Sequence, residues 1–288
     1  MLNVEMDFLI CETCGTQFDQ TSKTSCRICE DPRQYVLPTG PSFTTLRSMQ
    51  GQYRNEIRMD PYNCNLYSVW TEPKFAIGQR AMLIRTPKGN VLWDCISYLD
   101  QDTIDSINEL GGIHAIAISH PHFYSSHVEW AKAFNCKVYI SSEDEEWLNR
   151  RHEQQVIASD HMIDIFGDGD ITIRKAGGHF PGSTVLYWRS AKKLLTSDTI
   201  MVVQSGLNPQ PGQVSFSFMW SYPNMIPLSG DQVAKIWDAV KRLDFESCHS
   251  SWWDRDVRGD AKKKVFDSAS LILSIIGSSA TIFWPGEH

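Results

Sequence analysis

The alternation of short apolar runs with a helical stripe between residues 80 and 141 is the feature that most constrains this fold. Residues 81–85 and 91–93 are apolar runs joined by a Pro-Lys-Gly-Asn turn, which predicts a β-hairpin. An apolar stripe at helical spacing over residues 104–110 ends at two glycines, and the apolar run 114–119 follows it. Strand, helix and strand in this order predict a crossover connection, and therefore an α/β domain with helices outside its sheets.

The remainder of the chain continues this mixture of strands and helices. A helical stripe over residues 128–134 precedes the strand-like run 137–141, and residues 161–197 hold several short strand-like runs separated by glycine and proline. Ser229, with a glutamine three residues later, predicts a capped helix start, and a last helix is expected from about residue 260 to 276. With 288 residues, 42% of them hydrophobic, the chain is long enough to bury a substantial core.

The composition divides the chain into three predicted segments. Residues 1–36 hold four paired cysteines around a polar stretch and have too few apolar side chains to form a core unaided, so we expect a bound metal to stabilise them. Residues 37–74 contain Pro, Ser, Tyr and Asn in irregular order, and are expected to be a connector that lies against the main domain. Residues 75–288 form the predicted main domain.

Four of the eight cysteines are grouped into two Cys-x-x-Cys hooks, Cys11 with Cys14 and Cys26 with Cys29. Each hook can place two thiolates on one ion, and the loop between them can complete a tetrahedron, as in a rubredoxin-like or zinc-ribbon-like knuckle. Four thiolates leave no open coordination position, so we expect a structural zinc. Iron in a four-thiolate site and four unliganded cysteines are the alternatives.

The charge and the apolar runs exclude several classes of partner. A formal net charge of −7 and a pI near 5.7 provide no basic surface, so no nucleic-acid partner is expected. No apolar run approaches the roughly 20 residues of a membrane span, and the first residues lack the basic charge of a targeting signal. We therefore expect a cytoplasmic protein whose cysteines are thiols or metal thiolates.

Five residues at strand ends and turns are candidate metal ligands. His120 and His122 follow the end of a predicted strand, where their i, i+2 spacing can point both imidazoles at one ion. His179 lies in a glycine-rich turn before a strand, and Asp198 ends an apolar strand with a carboxylate. His249, which follows the amphipathic helix and a short apolar run, is a weaker candidate.

In this order and at these spacings, the residues between about 75 and 260 resemble the metallo-β-lactamase-like hydrolases. The resemblance assigns the family's opening carboxylate to Asp94 and its histidine pair to His120 and His122. It assigns the later histidine to His179, the bridging aspartate to Asp198 and the terminal histidine to His249. It implies a four-strand, helix-flanked αββα sandwich that binds its metals at one sheet edge, here with a small N-terminal metal-bound knuckle.

The chain departs from this family at one motif. The family's second motif normally reads His-x-His-x-Asp-His, but Tyr124 and Ser125 stand where the aspartate and histidine would hold a second metal. We therefore expect a single-metal site, or a weak second one, with Asp198 as a fourth ligand or hydrogen-bonded to the bound water. His249 then lies behind the ligands, and His127 is an alternative substitute ligand.

A site with three histidines and one open position favours metal-dependent hydrolysis of an ester, thioester, lactone or amide. Asp198 is expected to orient the attacking hydroxide or accept its proton, and Tyr124 to donate a hydrogen bond to the developing oxyanion. The aromatic stretch 216–225 either lines a pocket for a small-molecule substrate with an apolar or aromatic part, or is an ordinary packed loop.

Two other functions fit the same residues. The first is an oxygen-dependent enzyme with mononuclear iron held by two histidines and a carboxylate, as in persulfide dioxygenase-like relatives. The second is a non-catalytic binding protein with a degenerate metal site, whose N-terminal knuckle docks a partner. Metal analysis distinguishes the first from a zinc hydrolase, and absence of both turnover and metal in the main domain would favour the second.

Overall fold

The computed structural model describes residues 4–286, and the chain divides into two compact units, Met1–Ala158 and Ser159–His288. The boundary between these units falls inside the predicted main domain 75–288. Residues 1–3 and 287–288, at the ends of the predicted segments, lie outside the described residues.

The first unit contains short helices and a large sheet. Its strands are β1 Leu9–Cys11, β2 Phe43–Thr45, β3 Arg54–Asp60, β4 Asn63–Glu72, β5 Ala81–Ile84, β6 Val91–Trp93, β7 Ala115–Ala117, β8 Lys137–Ser141 and β9 Gln155–Ala158. Its α-helices are α1 Arg27–Glu30, α2 Leu46–Met49, α3 Gln101–Glu109 and α4 His127–Phe134. Two 3₁₀ turns are Pro121–Phe123 and Ser142–Trp147.

Seven strands of this unit form one sheet in the order β3-β4-β5-β6-β7-β8-β9, and β1 pairs with β2 separately. The strands are antiparallel from β3 to β6 and parallel from β6 to β9. The predicted hairpin is therefore confirmed as β5 and β6. The predicted crossover is confirmed as β6, α3 and β7, with α4 making the next connection, from β7 to β8.

The expected connector contributes two strands, β3 and β4, to the edge of this sheet. Polar residues occupy much of both strands, which leaves only a weak hydrophobic pattern. Leu66 and Val69 of β4 are nevertheless buried, and β4 pairs with β5 over four residue pairs. The segment is thus half of an antiparallel edge and not an irregular linker.

The N-terminal cysteines belong to the main hydrophobic core of the first unit. Cys11, Cys14, Cys26 and Cys29 pack in one apolar cluster with central sheet residues such as Leu92 and Ile116. The apolar residues Phe18 and Ile28, which lie in the same segment, are fully buried as well. The knuckle is therefore integrated with the sheet that carries His120 and His122.

The second unit contains a six-stranded sheet and two longer helices. Its strands are β10 Met162–Asp164, β11 Ile171–Lys175, β12 Thr184–Trp188, β13 Lys193–Leu195, β14 Met201–Val202, β15 Phe216–Ser217, β16 Met219–Ser221, β17 Ile226–Pro227, β18 Ser247–His249 and β19 Asp256–Arg258. Its helices are α5 Gln204–Leu207, α6 Gly230–Val240 and α7 Ala261–Ile275. The large sheet has the order β10-β11-β12-β13-β18-β19, and only the β13–β18 pair is parallel.

The two longer helices of the second unit, α6 and α7, begin where the sequence predicts. Ser229 caps α6, and its side chain and that of Gln232 form the reciprocal capping box. The apolar stripe of α6 packs with α7 and the sheet in one core that includes Val233, Ile236 and Trp237. The large sheets of the two units hold seven and six strands, more than the four that the resemblance implies.

Within residues 4–286, no helix has the length and apolar character needed to cross a membrane.

Candidate metal centre

His120 and His122 lie in a turn that follows β7 in the first unit; we call residues 119–126 the histidine turn. Its start is held by Asp94, whose Oδ1 accepts a hydrogen bond of 2.7 Å from the backbone N–H of Ser119. His120 is extended, and the 3₁₀ turn Pro121–Phe123 follows it. The two imidazole rings are 5.2 Å apart, and each offers a ligand nitrogen within 4.8 Å of the other.

The ring of His120 is oriented by its neighbour. The hydroxyl oxygen of Ser119 lies 2.9 Å from Nδ1, and the ring of Phe123 packs 4.5 Å from the imidazole. When Nδ1 donates its proton to this hydroxyl, Nε2 presents the lone pair that a metal requires. Both histidines are buried, so their orientation is set by packing as well as by this contact.

His179 lies between β11 and β12 in the second unit, in a turn that needs glycine. Gly178 has φ of +90°, and a Cβ there would come 2.6 Å from Thr199 Oγ1 and 2.7 Å from Ile236 Cδ1. No larger residue fits this backbone without displacing its neighbours. The close packing therefore sets where His179 points.

The protonation of His179 follows from its backbone partner. Its Nδ1 lies 3.0 Å from the carbonyl oxygen of Met219, and a carbonyl only accepts, so Nδ1 carries the proton. Nε2 then faces Asp198, whose Oδ2 is 3.6 Å away. A lone pair and a carboxylate oxygen at this distance repel each other unless a metal ion or a second ring proton lies between them.

Asp198 comes shortly after β13 and is held through its backbone. Its N–H donates to Ser197 Oγ at 2.6 Å, and its carbonyl accepts a hydrogen bond of 2.8 Å from the Tyr222 hydroxyl. The Tyr222 ring also packs 5.8 Å from the His179 ring, and burial raises the pKa of its phenol well above the ordinary value. Tyr222 thus contacts both residues of this pair. The sequence indicated it only as one of several aromatics in the stretch 216–225.

The aromatic stretch 216–225 has two different parts. Phe216 and Phe218 are buried in the core of the second unit, as the packed-loop alternative requires. Met219, through its backbone carbonyl, and Tyr222, through its ring, instead contact His179. The packed-loop alternative therefore describes Phe216 and Phe218, and the pocket-lining role stays a prediction.

The positions that hold a second metal in the family are occupied by other interactions. Ser125 Oγ accepts a hydrogen bond of 3.0 Å from Gln79 and donates one of 3.2 Å to the Cys95 carbonyl. Tyr124 is buried, which raises the pKa of its phenol, and its hydroxyl donates to the Asp144 carbonyl at 2.8 Å. Because a phenol has one proton to donate, Tyr124 could act on an oxyanion only by releasing this carbonyl.

His127 is held on both of its ring nitrogens. Nδ1 lies 2.8 Å from the Tyr124 carbonyl, and Nε2 lies 2.7 Å from the side-chain nitrogen of Gln155. Burial lowers its pKa to about 4, consistent with a neutral ring that donates through Nδ1 and accepts through Nε2. To replace a missing metal ligand, as the alternative supposes, His127 would have to exchange one of these partners.

His249 lies in a polar cluster of the second unit. Its Nε2 is 3.2 Å from Ser247 Oγ and 3.3 Å from the Lys193 ammonium, and its Nδ1 is 3.3 Å from an oxygen of Asp256. A cation beside Nε2 opposes the binding of a second cation to that nitrogen. The role of His249 as a weaker ligand stays a prediction.

The four cysteine side chains have the geometry of a tetrahedral thiolate site. Sγ of Cys11 lies 3.5 Å from Sγ of Cys29, and Sγ of Cys14 lies 3.7 Å from Sγ of Cys26. Zinc–sulfur bonds of about 2.3 Å place tetrahedral sulfurs about 3.8 Å apart, whereas a disulfide requires about 2.05 Å. The backbone N–H of Thr13 also points at Cys11 Sγ, at 3.4 Å. The cluster therefore fits a four-thiolate metal, as the sequence predicts.

Comparison with known proteins identifies the class of the chain. Residues 76–243 match the sequence model of the Metallo-beta-lactamase superfamily, which is more than half of the chain. The chain therefore belongs to this superfamily, and the predicted fold class is confirmed. His120 and His122 in the first unit, and His179 and Asp198 in the second unit, are candidate metal ligands.

One curated protein and two solved structures are similar to this chain. The chain is 42% identical to the uncharacterized protein YmaE of Bacillus subtilis (strain 168), over 95% of this chain and 98% of the relative. The DIM-1 metallo-beta-lactamase has a similar fold, with a TM-score of 0.56 and 13% identity over 76% of this chain and 98% of that one. The mono-zinc form of the metallo-beta-lactamase FIM-1 from Pseudomonas aeruginosa has a TM-score of 0.53 and 11% identity, over 76% and 96%.

Proposed function

We propose that this protein is a metal-dependent hydrolase in which His120, His122 and His179 bind one catalytic zinc ion, with Asp198 as a fourth ligand or hydrogen-bonded to the bound water. Membership of the superfamily supports the ligand assignment, and the loss of the two second-metal ligands at Tyr124 and Ser125 supports a single catalytic ion. A second zinc, held by the four cysteines, has a structural role. The substrates proposed are esters, thioesters, lactones or amides.

The contact between His179 and Asp198 is the observation that carries this proposal. The Met219 carbonyl holds a ring proton on Nδ1, and Nε2 faces a carboxylate oxygen of Asp198 at 3.6 Å. A divalent cation in place of a second ring proton would make a favourable contact with each of these two atoms. The donor set of three imidazoles and a carboxylate is one that zinc accepts readily.

The protein's own residues then have distinct tasks. A bound zinc with an open position supplies an activated water and polarises a carbonyl group. Ser119 and the Met219 carbonyl orient the rings of His120 and His179, so that their Nε2 atoms face inward. Asp198 holds or accepts the proton that hydrolysis releases, and Tyr222 fixes the backbone that carries it.

The substrate proposed is a small molecule with an apolar or aromatic part, because Met219 and Tyr222 lie against His179. A net charge of −7 supports the absence of a nucleic-acid partner. Cysteine thiolates require reducing conditions, which supports action in the cytoplasm.

The test is metal content by mass spectrometry on full-length protein purified without added metal. We expect about two zinc ions per chain in the wild type and about one in the double variant His120→Ala, His122→Ala, which keeps the cysteine site. The double variant should also lose hydrolysis of a panel of esters, thioesters, lactones and amides. His161→Ala, in an exposed turn, is the matched control and should keep both.

Two results would redirect the proposal. If the metal that the wild type holds and the double variant loses is iron and not zinc, the oxygen-dependent alternative is favoured over hydrolysis. An unchanged metal content in the double variant would remove the proposed site altogether.

A further inference from the structure

The loop between the two cysteine hooks contacts the histidine turn; we call residues 15–17 the knuckle loop. The backbone N–H of Gln17 donates a hydrogen bond of 3.0 Å to the carbonyl of Ser125, within the first unit. The hydroxyl of Ser97 donates one of 2.7 Å to the carbonyl of Gly15. Ser97 in turn accepts, through its own carbonyl, a hydrogen bond of 2.6 Å from the Ser126 hydroxyl.

The knuckle loop is itself tied to the first cysteine hook. The N–H of Gly15 donates to the carbonyl of Cys11 at 2.8 Å, and the N–H of Cys11 donates to the carbonyl of Thr16 at 3.0 Å. Gly15 has φ of +80°, and a Cβ there would lie 2.4 Å from Ser97 Oγ, so the two segments approach closely. A change in the hook geometry therefore moves the loop that contacts the histidine turn.

A second connection runs through side chains to α4, the helix that follows His120 and His122. Arg150 donates to Oε1 of Gln17 at 2.6 Å and forms an ion pair with Glu129 of α4. The Glu129 side chain is fully buried, so this pair is shielded from solvent. The knuckle loop thus contacts Ser125 directly and α4 through Arg150.

These contacts act at the position that the family uses for a second metal. Ser125 replaces the expected histidine, has φ of +47°, and is held by Gln17 through its backbone and by Gln79 through its side chain. A non-glycine residue in the left-handed region needs support from its surroundings. Here protein groups, including the knuckle loop, supply that support.

We propose that the four-cysteine site is a positioning element for the histidine site, so that metal ions at the two sites bind cooperatively. Metal at the cysteines fixes the knuckle loop, which holds the histidine turn in its binding geometry. Because coupling between two binding sites is reciprocal, each metal strengthens the binding of the other by the same factor. This inference rests on the proposed function, since it requires a metal at His120 and His122.

The test removes one link of this connection, the hydrogen bond between Ser97 and Gly15, and leaves every ligand in place. Ser97→Ala deletes the hydroxyl that binds Gly15, while Ser68→Ala deletes another buried hydroxyl of the same unit that binds Arg80 instead. Both variants are loaded with Co²⁺. The thiolate-to-cobalt charge-transfer absorption reports occupancy of the cysteine site separately from the histidine site. The dissociation constant of Co²⁺ at the histidine site is then measured by competition with a chromophoric chelator.

We expect Ser97→Ala to weaken Co²⁺ binding at the histidine site about tenfold, within the usual range of coupling between sites, with its sulfur-to-metal absorption unchanged. Ser68→Ala should match the wild type. Cys29→Ser, which removes one thiolate, should weaken Co²⁺ binding at the histidine site at least as much. If Cys29→Ser does not fold, the result for Ser97→Ala tests the proposal by itself.

The reverse effect gives a second readout. The double variant His120→Ala, His122→Ala should hold Co²⁺ at its cysteines more weakly than the wild type, in equilibrium with a strong chelator. Equal affinities in wild type and Ser97→Ala would overturn the coupling and leave the proposed function intact. A wild type that binds Co²⁺ only at its cysteines would instead contradict the proposed function.

Discussion

Single hydrogen bonds decide which ring nitrogen each ligand residue presents. Nδ1 of His179 is bound to the Met219 carbonyl, and Nδ1 of His120 contacts the Ser119 hydroxyl. In both residues these contacts are made by Nδ1, so we expect Nε2 to be the nitrogen that binds the proposed metal. Partners of this kind typically change metal affinity by about 10 to 100-fold, so these neighbours belong to the site although they bind no metal themselves.

Asp198 is the residue on which turnover should depend most. We expect Asp198→Ala to lower kcat by at least about 100-fold, because it removes both a ligand oxygen and the proton acceptor. Its melting temperature in the metal-free form should change little, since the Tyr222 and Ser197 contacts use the backbone of Asp198. Kinetics on the best substrate of the panel and thermal unfolding measure the two effects. Asp238→Ala, on the exposed face of α6, is the control, and an Asp198→Ala enzyme with the wild-type rate would contradict the role.

His127 should make stability depend on pH. Burial lowers its pKa from 6.5 to about 4, so between these values the unfolded chain binds the proton more tightly than the folded one. Stability is then highest above pH 6.5 and falls toward pH 4, by about 3 kcal/mol in total. Urea unfolding of wild type and His127→Gln across this range measures the difference. Parallel pH profiles for the two proteins would show that His127 does not contribute.

At the scale of elements, the turn between β11 and β12 determines the position of His179. Gly178→Ala should destabilise the second unit by about 2 to 4 kcal/mol, because the added methyl overlaps Thr199 and Ile236 and the backbone has positive φ. Gly167→Ala is the matched control, since its φ of +73° carries the same backbone cost with nothing within 4 Å of the new methyl. Urea unfolding measures the free energy of unfolding of both variants. Equal losses of stability in Gly178→Ala and Gly167→Ala would mean that the overlap is relieved at no cost.

The elements that periodicity predicts are those with strong apolar patterns. The hairpin β5–β6, the helices α3, α4 and α6, and the helix α7 lie where the sequence places them. Periodicity does not predict β3 and β4 because both are polar at many positions, and β3, the edge strand, needs little burial. The hydrophobic pattern of one strand does not identify which other strand of the chain will pair with it.

For the whole molecule, the candidate ligands could be predicted because metal chemistry restricts both residue type and spacing. Two Cys-x-x-Cys hooks and a His-x-His pair at a strand end are arrangements that metal binding requires and that packing alone does not. The link from Gln17 to Ser125 could not be predicted, because it joins backbone groups that any residue carries. The contacts of Tyr124 and Tyr222 were equally hidden, since a tyrosine hydroxyl can find a backbone acceptor anywhere along the chain.

The pairing of Gln17 with Arg150 has a consequence for biosynthesis. The two residues are separated by 133 positions, so at translation rates of about 5 to 20 residues per second Gln17 is made roughly 7 to 27 s before Arg150. For most of that interval both cysteine hooks have been made, but α4 and Arg150, to which their loop is later connected, have not. The nascent chain therefore has time to capture its first ion before the ribosome has delivered the rest of the sheet.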